Sequence, residues 1–258
     1  MTTPTFAPGD PCWADLMTDD VEAAQKFYGE LLGWTFESGD EEKYGGYVTA
    51  SKDGRRVAGL MAKQPDQQEM PSTWGIYLKS DDAEATAAAI TAAGGQVVVP
   101  PMTVPEMGVM AIAEDPSGAF VGVWEPLSHG GYSLINEPGA VGWHELASRK
   151  YDAAVDFYRQ AFGWDISVME DTEDFRYSTL GEGDQARAGL FDAAKFLPEG
   201  VPSHWLIYLV VDNADDAARK VTELGGRVLE EPRDDPHGRH ARVTDPFGAV
   251  FMLHQSLV

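Results

Sequence analysis

The chain has 258 residues, 43% of them hydrophobic and 10% aromatic, which is enough apolar material for two cores of ordinary size. A formal charge of −23 argues against binding nucleic-acid phosphates or an anionic membrane surface, and suits either solubility or a cationic ligand. The single cysteine, Cys12, excludes an intramolecular disulfide and a thiolate-built zinc site; it reads as a small apolar residue of a first strand.

Residues 1–9 form a Pro/Thr/Gly leader, expected to be loosely ordered. The opening Met1-Thr2-Thr3-Pro4 lacks the basic and apolar regions of a signal peptide, and no apolar run approaches the roughly 20 residues of a membrane helix. A soluble cytosolic protein is the expectation. Pro11 to Met17 alternates as a strand with Trp13, Asp15 and Met17 on one face. Asp19 or Asp20 caps a helix from Val21 to Leu32, stopped by Gly33. Strands follow at 34–38, 44–52 and 56–62, separated by turn signals such as Asp53-Gly54, and 63–72 is a connection. The next stretch repeats that plan: strand 73–79, an alanine-rich helix 81–93 stopped by Gly94-Gly95, then strands 96–99, 109–114 and 119–124.

The Pro- and Gly-rich segment 127–139 links this domain, residues 10–126, to a second one at 140–258. There the scheme recurs: strand 140–147, helix 151–162, hairpin strands to Phe191, strand 203–211, helix 213–224, and strands 227–230, 239–244 and 249–254. The recurrence is also literal. Trp13 and Trp143 are 143 − 13 = 130 residues apart, as are Gly33-Trp34 and Gly163-Trp164, and Asp115-Pro116-x-Gly118 and Asp245-Pro246-x-Gly248. Trp74-x-Ile76-Tyr77-Leu78 recurs as Trp205-x-Ile207-Tyr208-Leu209, an offset of 131. Two homologous halves, each of two β-α-β-β-β units, define an α+β protein.

A first strand, then Asp20-x6-Phe27-Tyr28-x3-Leu32-Gly33-Trp34, then Asp-Pro-x-Gly before the last strand, resembles the vicinal oxygen chelate superfamily of glyoxalases, bleomycin resistance proteins and extradiol dioxygenases. The tandem form, with Gly-Trp after each first helix, is similar to two-domain glyoxalase-like proteins of actinobacteria. The resemblance implies curled mixed sheets around one cleft per half. It also implies a metal held by His or Gln on a first strand and Glu on a last strand. Counting from the landmarks, those slots fall on Trp13, Gly75 and Gly122 in one half and on Trp143, Leu206 and Met252 in the other; a further slot lies among 58–61 and 188–191. None offers a nitrogen or oxygen ligand, so the family's usual metal and any other cofactor are not expected, while a displaced site of two imidazoles with Glu145 stays open.

Strand parity puts Asp15 and Glu145 on the cleft faces, two residues beyond Trp13 and Trp143. Each is either a general base with a raised pKa or a structural carboxylate. His204, with Leu206 and Tyr208, and His254, with Met252, share the second cleft face, so the candidate catalytic set is Glu145, Asp15 and His204. Trp13, Trp143, Tyr77, Tyr208, Trp124 and His254 are the candidate ligand-binding residues, because broad rings suit a flat or cationic organic molecule. His237 and His240 flank Gly238 in an acidic turn that could serve as a flap; His144 has the opposite parity and belongs under the helix. The second half is the better equipped for proton transfer. Three readings stay open: a metal-independent lyase or isomerase on a small carbonyl or polyketide-like substrate, a non-catalytic drug or metabolite binder, and a protein with relict clefts. A small-molecule ligand is the expected partner, with the chain a pseudo-dimeric monomer or a homodimer.

Overall fold

The computed structural model describes residues 3–256. In the first half the order is β1 (Pro11–Thr18), α1 (Val21–Leu32), β2 (Thr35–Ser38), a one-turn α2 (Glu41–Tyr44), β3 (Val48–Lys52), β4 (Arg55–Ala62), β5 (Thr73–Lys79), α3 (Ala83–Ala92), β6 (Gln96–Val104), β7 (Gly108–Glu114) and β8 (Phe120–Pro126). The second half runs β9 (Val141–Ser148), α4 (Tyr151–Phe162), β10 (Ile166–Asp171), β11 (Arg176–Leu180), β12 (Ala188–Asp192), β13 (His204–Val210), α5 (Ala214–Glu223), β14 (Arg227–Asp235), β15 (Gly238–Thr244) and β16 (Val250–Gln255).

Each half is one open eight-stranded mixed sheet, ordered β2-β3-β4-β1-β5-β8-β7-β6 and β10-β11-β12-β9-β13-β16-β15-β14. The two β-α-β-β-β units of a half therefore fuse rather than standing as separate sheets. Their first strands, β1 and β5, pair antiparallel at the centre, and each pairs parallel with the last strand of its own unit. Helices cover one face, and the other forms the cleft.

Local chemistry accounts for the boundaries. The Asp20 side chain accepts a hydrogen bond from the Ala23 amide, and Gly33 at φ 71° ends α1 in the left-handed region that glycine adopts without strain. The strand expected from residue 44 begins only at Val48, because Asp40 caps a helical turn that Gly45, at φ 61°, terminates. The strand expected at 96–99 runs to Val104 through Pro100 and Pro101. It lies on the sheet edge and carries register shifts, where missing amide donors cost little.

The helix-covered faces of the two sheets meet, and there the repeated landmarks find their reason. Tyr28 accepts from Trp74 Nε1 at 3.1 Å and donates to Asp245 of the other half at 3.2 Å. Tyr158 accepts from Trp205 at 3.1 Å and donates to Asp115 at 3.1 Å. The free oxygen of each aspartate holds its own Asp-Pro-x-Gly turn: Asp115 Oδ1 accepts from Ser117 and Ala119, Asp245 Oδ1 from Phe247 and Ala249. The Gly-Trp tryptophans cross likewise, Trp34 to the Gly139 carbonyl at 2.6 Å and Trp164 to the Gly9 carbonyl at 2.8 Å. The end of the leader is thus docked, with Gly9 and Asp10 buried. The interdomain segment is docked as well, through Tyr132 and Leu134, at 1% and 2% exposure. Among the described residues no helix is long and apolar enough to cross a membrane.

Candidate functional site

On the cleft face of the first sheet, Asp15 lies between Gly59 on β4 and Gly75 on β5. Trp13 Nε1 donates to the Tyr47 hydroxyl at 2.7 Å, Tyr47 reaches Asp15 Oδ2 at 3.4 Å, and Tyr77 bonds the same carboxyl. Trp13, Asp15 and Tyr77 are only 5–7% exposed. Burial pushes the Asp15 carboxyl up to about 7 against the pull of the two tyrosine hydrogen bonds, because a desolvated carboxylate is costly. His129, from the interdomain segment, closes this cleft. Its ring stands edge-on to Trp13 at 4.5 Å and to Trp124 at 5.6 Å, and its carbonyl accepts from Trp124 Nε1 at 2.8 Å. Burial, with Arg56 nearby, holds this imidazole down at about 4, so it is neutral.

The second cleft repeats the chain of contacts, and among the described residues no ring lies against Trp143 as His129 lies against Trp13. Trp143 Nε1 donates to the Tyr177 hydroxyl at 3.2 Å, Tyr177 donates to Glu145 Oε2 at 2.8 Å, and Tyr208 donates to Glu145 Oε1 at 3.0 Å. Burial raises the Glu145 pKa, the tyrosines oppose it, and Asp235 adds to it. Trp143, Glu145, Tyr177 and Tyr208 are all partly exposed. Phe175 stacks on Tyr177 at 6.1 Å and packs on Phe191 at 5.4 Å, and Phe191 in turn meets Phe196 at 5.0 Å. With Phe175 at 37% and Phe196 at 56% exposure, an aromatic wall leads from solvent toward Glu145.

Of the residues singled out in the sequence, Trp13, Asp15 and Tyr77 come together in one cleft, and Trp143, Glu145 and Tyr208 in the other. Trp124 lines the first cleft under His129. His254 instead joins His240, Nδ1 to Nε2 at 2.7 Å. His204 sits at the start of β13 with Nδ1 2.9 Å from the Pro202 carbonyl, and no hydrogen bond ties it to Glu145. His240 lies within β15 rather than in the turn. His144 is buried, as its parity requires, with Nε2 3.0 Å from the Tyr132 hydroxyl. Tyr47 and Tyr177 were missed, although they too stand 177 − 47 = 130 residues apart. Two surface hollows, of about 260 Å³ beside Arg149, Asp152 and Arg176 and about 840 Å³ along α5, lie away from both carboxyls.

The residues at the implied metal slots do not fit an ion. A Cβ added to Gly59 or Gly189 would collide with the hydroxyl of Tyr47 or Tyr177, and one added to Gly122 would collide with the Tyr77 ring. Tyrosine therefore fills the volume from which a ligating side chain would grow. Among the described residues no three His, Cys, Asp or Glu side chains converge as a metal-holding group.

A tandem pair of such sheets, each with a carboxyl on the cleft face, defines a class. The chain belongs to the glyoxalase/bleomycin resistance protein/dioxygenase superfamily, whose family model matches residues 13–123 and 140–253. Among its relatives, the putative glyoxylase CFP32 of Mycobacterium tuberculosis is 39% identical over 251 residues, covering 96% of this chain and 95% of the relative. The anthracycline biosynthesis protein DnrV of Streptomyces peucetius is 37% identical over 263 residues, covering 96% and 94%. In fold it is similar to a Mn(II)-bound glyoxalase from Novosphingobium aromaticivorans, with TM-score 0.66 and 18% identity over 100% of this chain and 84% of that one. The 2,3-dioxygenase LapB of Pseudomonas sp. KL28 gives TM-score 0.68 and 14% identity over 99% and 94%.

Proposed function

We propose that the second cleft binds a flat, polyketide-like carbonyl compound without the superfamily's usual metal, and that Glu145 exchanges a proton with it. The observation that carries this is the Glu145 carboxyl held by two tyrosine hydroxyls, at 2.8 and 3.0 Å, in a cleft that stays partly open. A carboxyl with a raised pKa is suited to removing a proton beside a carbonyl, and a tyrosine O–H freed as Glu145 takes up that proton can turn to steady the resulting enolate oxygen. The aromatic wall matches a planar ring system, and the name of DnrV, an anthracycline biosynthesis protein, points to the same ligand class.

Non-catalytic capture of such a molecule is the second reading. It is favoured by one feature: the same Trp–Tyr–carboxyl–Tyr chain occurs in the closed first cleft, where it serves the core. Titrating the whole chain with a hydroxyanthraquinone bearing a methyl ketone, followed by tryptophan fluorescence, tests the proposal. Binding should weaken at least about tenfold in Glu145→Gln, about 1.4 kcal/mol, and hold in Asp15→Asn and in chelator. Binding that ignores Glu145→Gln, or that needs a divalent ion, overturns it. Deuterium uptake from D2O beside the ketone marks turnover, and its absence marks capture.

A further inference from the structure

The second cleft carries a group of side chains that its counterpart lacks. Tyr208 pairs with Met252 and Val210 with His254, so His254 shares the face on which Tyr208 meets Glu145. His240 stands directly across from it on β15. The two imidazoles stack at 4.8 Å, with His254 Nδ1 2.7 Å from His240 Nε2. His240 Nδ1 is buried without a hydrogen-bond partner and lies 2.8 Å from Asp235 Oδ2, within ion-pair distance. His240 is also edge-on to Tyr208 at 5.6 Å. In the first domain the facing pair is Met110 and Trp124, which cannot pass a proton.

The contacts favour one arrangement of tautomers. Burial lowers the pKa of both imidazoles, so both are neutral at neutral pH, and one proton must lie between the facing nitrogens. The Asp235 carboxylate 2.8 Å away favours a hydrogen on His240 Nδ1 by proximity, which leaves His240 Nε2 as the acceptor. His254 Nδ1 then donates, and His254 Nε2 holds a lone pair. The Ser256 hydroxyl, a possible donor, lies 3.4 Å from that nitrogen.

We infer that Asp235, His240 and His254 form a proton relay serving the second cleft, with His254 Nε2 accepting a proton from a phenolic or enolic O–H of the bound molecule. This rests on the second cleft's being the binding site. The O–H bond breaks, its electron pair stays on the ligand oxygen, and the proton goes to His254 Nε2. The imidazolium charge is balanced through His240 by Asp235, and release reverses the transfer. His254 is the catalytic residue; His240 and Asp235 are positioning residues. The charged and titratable groups around the pair are Asp235 and Arg233 on β14, His237 in the turn, and Glu145, Tyr177 and Tyr208 on the cleft face.

Two measurements on the full chain test the relay. Imidazole nitrogen NMR needs no ligand: His254 should carry its hydrogen on Nδ1 with Nε2 bare, and His240→Gln or Asp235→Asn should mix its tautomers. A hydrogen on Nε2 of His254 in the unaltered protein overturns the inference. With 4-nitrophenol as the probe, the bound phenolate band should be about tenfold stronger, relative to bound phenol, in the unaltered protein than in His240→Gln. Equal ionisation in the two overturns it. If the phenol does not bind at all, the reading of the second cleft as a site falls, while the tautomer result still decides the relay.

Discussion

The two clefts are built on one plan and have reached opposite ends of it. In the first, Trp13, Tyr77 and Asp15 are buried with Tyr47 half-buried beside them, and the interdomain segment lays His129 across Trp13 and Trp124. In the second, the same four positions keep partial exposure, His254 replaces the tryptophan, and phenylalanines open the way to solvent. A set of residues serves as core or as site according to what lies over it. The comparison predicts that damage to the first cleft appears as lost stability and damage to the second as lost binding.

The largest expected contrast is between the paired tryptophans. Trp13→Ala should cost about 3–5 kcal/mol in denaturant unfolding, the usual penalty for emptying a buried aromatic site, and Trp143→Ala roughly half that. Equal costs would break the comparison. Next comes the pH dependence of the buried carboxyl. The folded pKa of Asp15 is about 7, above the unfolded value of about 3.9, so its contribution is whole below the unfolded value and lost as pH rises through 7. Between pH 4 and 7 it should remove up to about 4 kcal/mol. His129, at about 4 in the folded chain, acts in the opposite direction over part of that range. The measurement is therefore the difference between Asp15→Asn and the unaltered protein, whose stability should fall more steeply with rising pH. The smallest effect is that of the plug: His129→Ala should cost about 1–2 kcal/mol and expose Trp13 to acrylamide quenching. If Trp13 remains shielded, the closure belongs to the sheet itself and not to the segment.

Much of this was legible from the residues alone. The bounds of α1 and α4 came from apolar spacing and the Gly33 and Gly163 stops, because capping is a local interaction. Asp15 and Glu145 were placed on the cleft faces by parity, which strand geometry dictates. Tyr47 was harder to see: the strand expected from residue 44 begins only at Val48, so Tyr47 lies just after the Gly45-Gly46 turn, where the alternation of that strand does not reach. The repeat offset, applied to every tyrosine, would have found both it and Tyr177. The plugging of one cleft was out of reach. It depends on where residues 127–133 cross the sheet end, through Leu127 to Met107 and Tyr132 to Cys12, which are contacts between distant parts of the chain. The histidine pair required the β15–β16 register, which a turn of uncertain length leaves open.

The crossed tyrosine–aspartate bonds have a consequence for how the protein could diversify. Each half secures the last hairpin of its sibling, so cohesion of the dyad is entrusted chiefly to the helical flanks and the docked interdomain segment rather than to the carboxyl-bearing walls. Those walls are thereby released from a shared duty: one can be shut and the other retooled without loosening the partnership that keeps both upright.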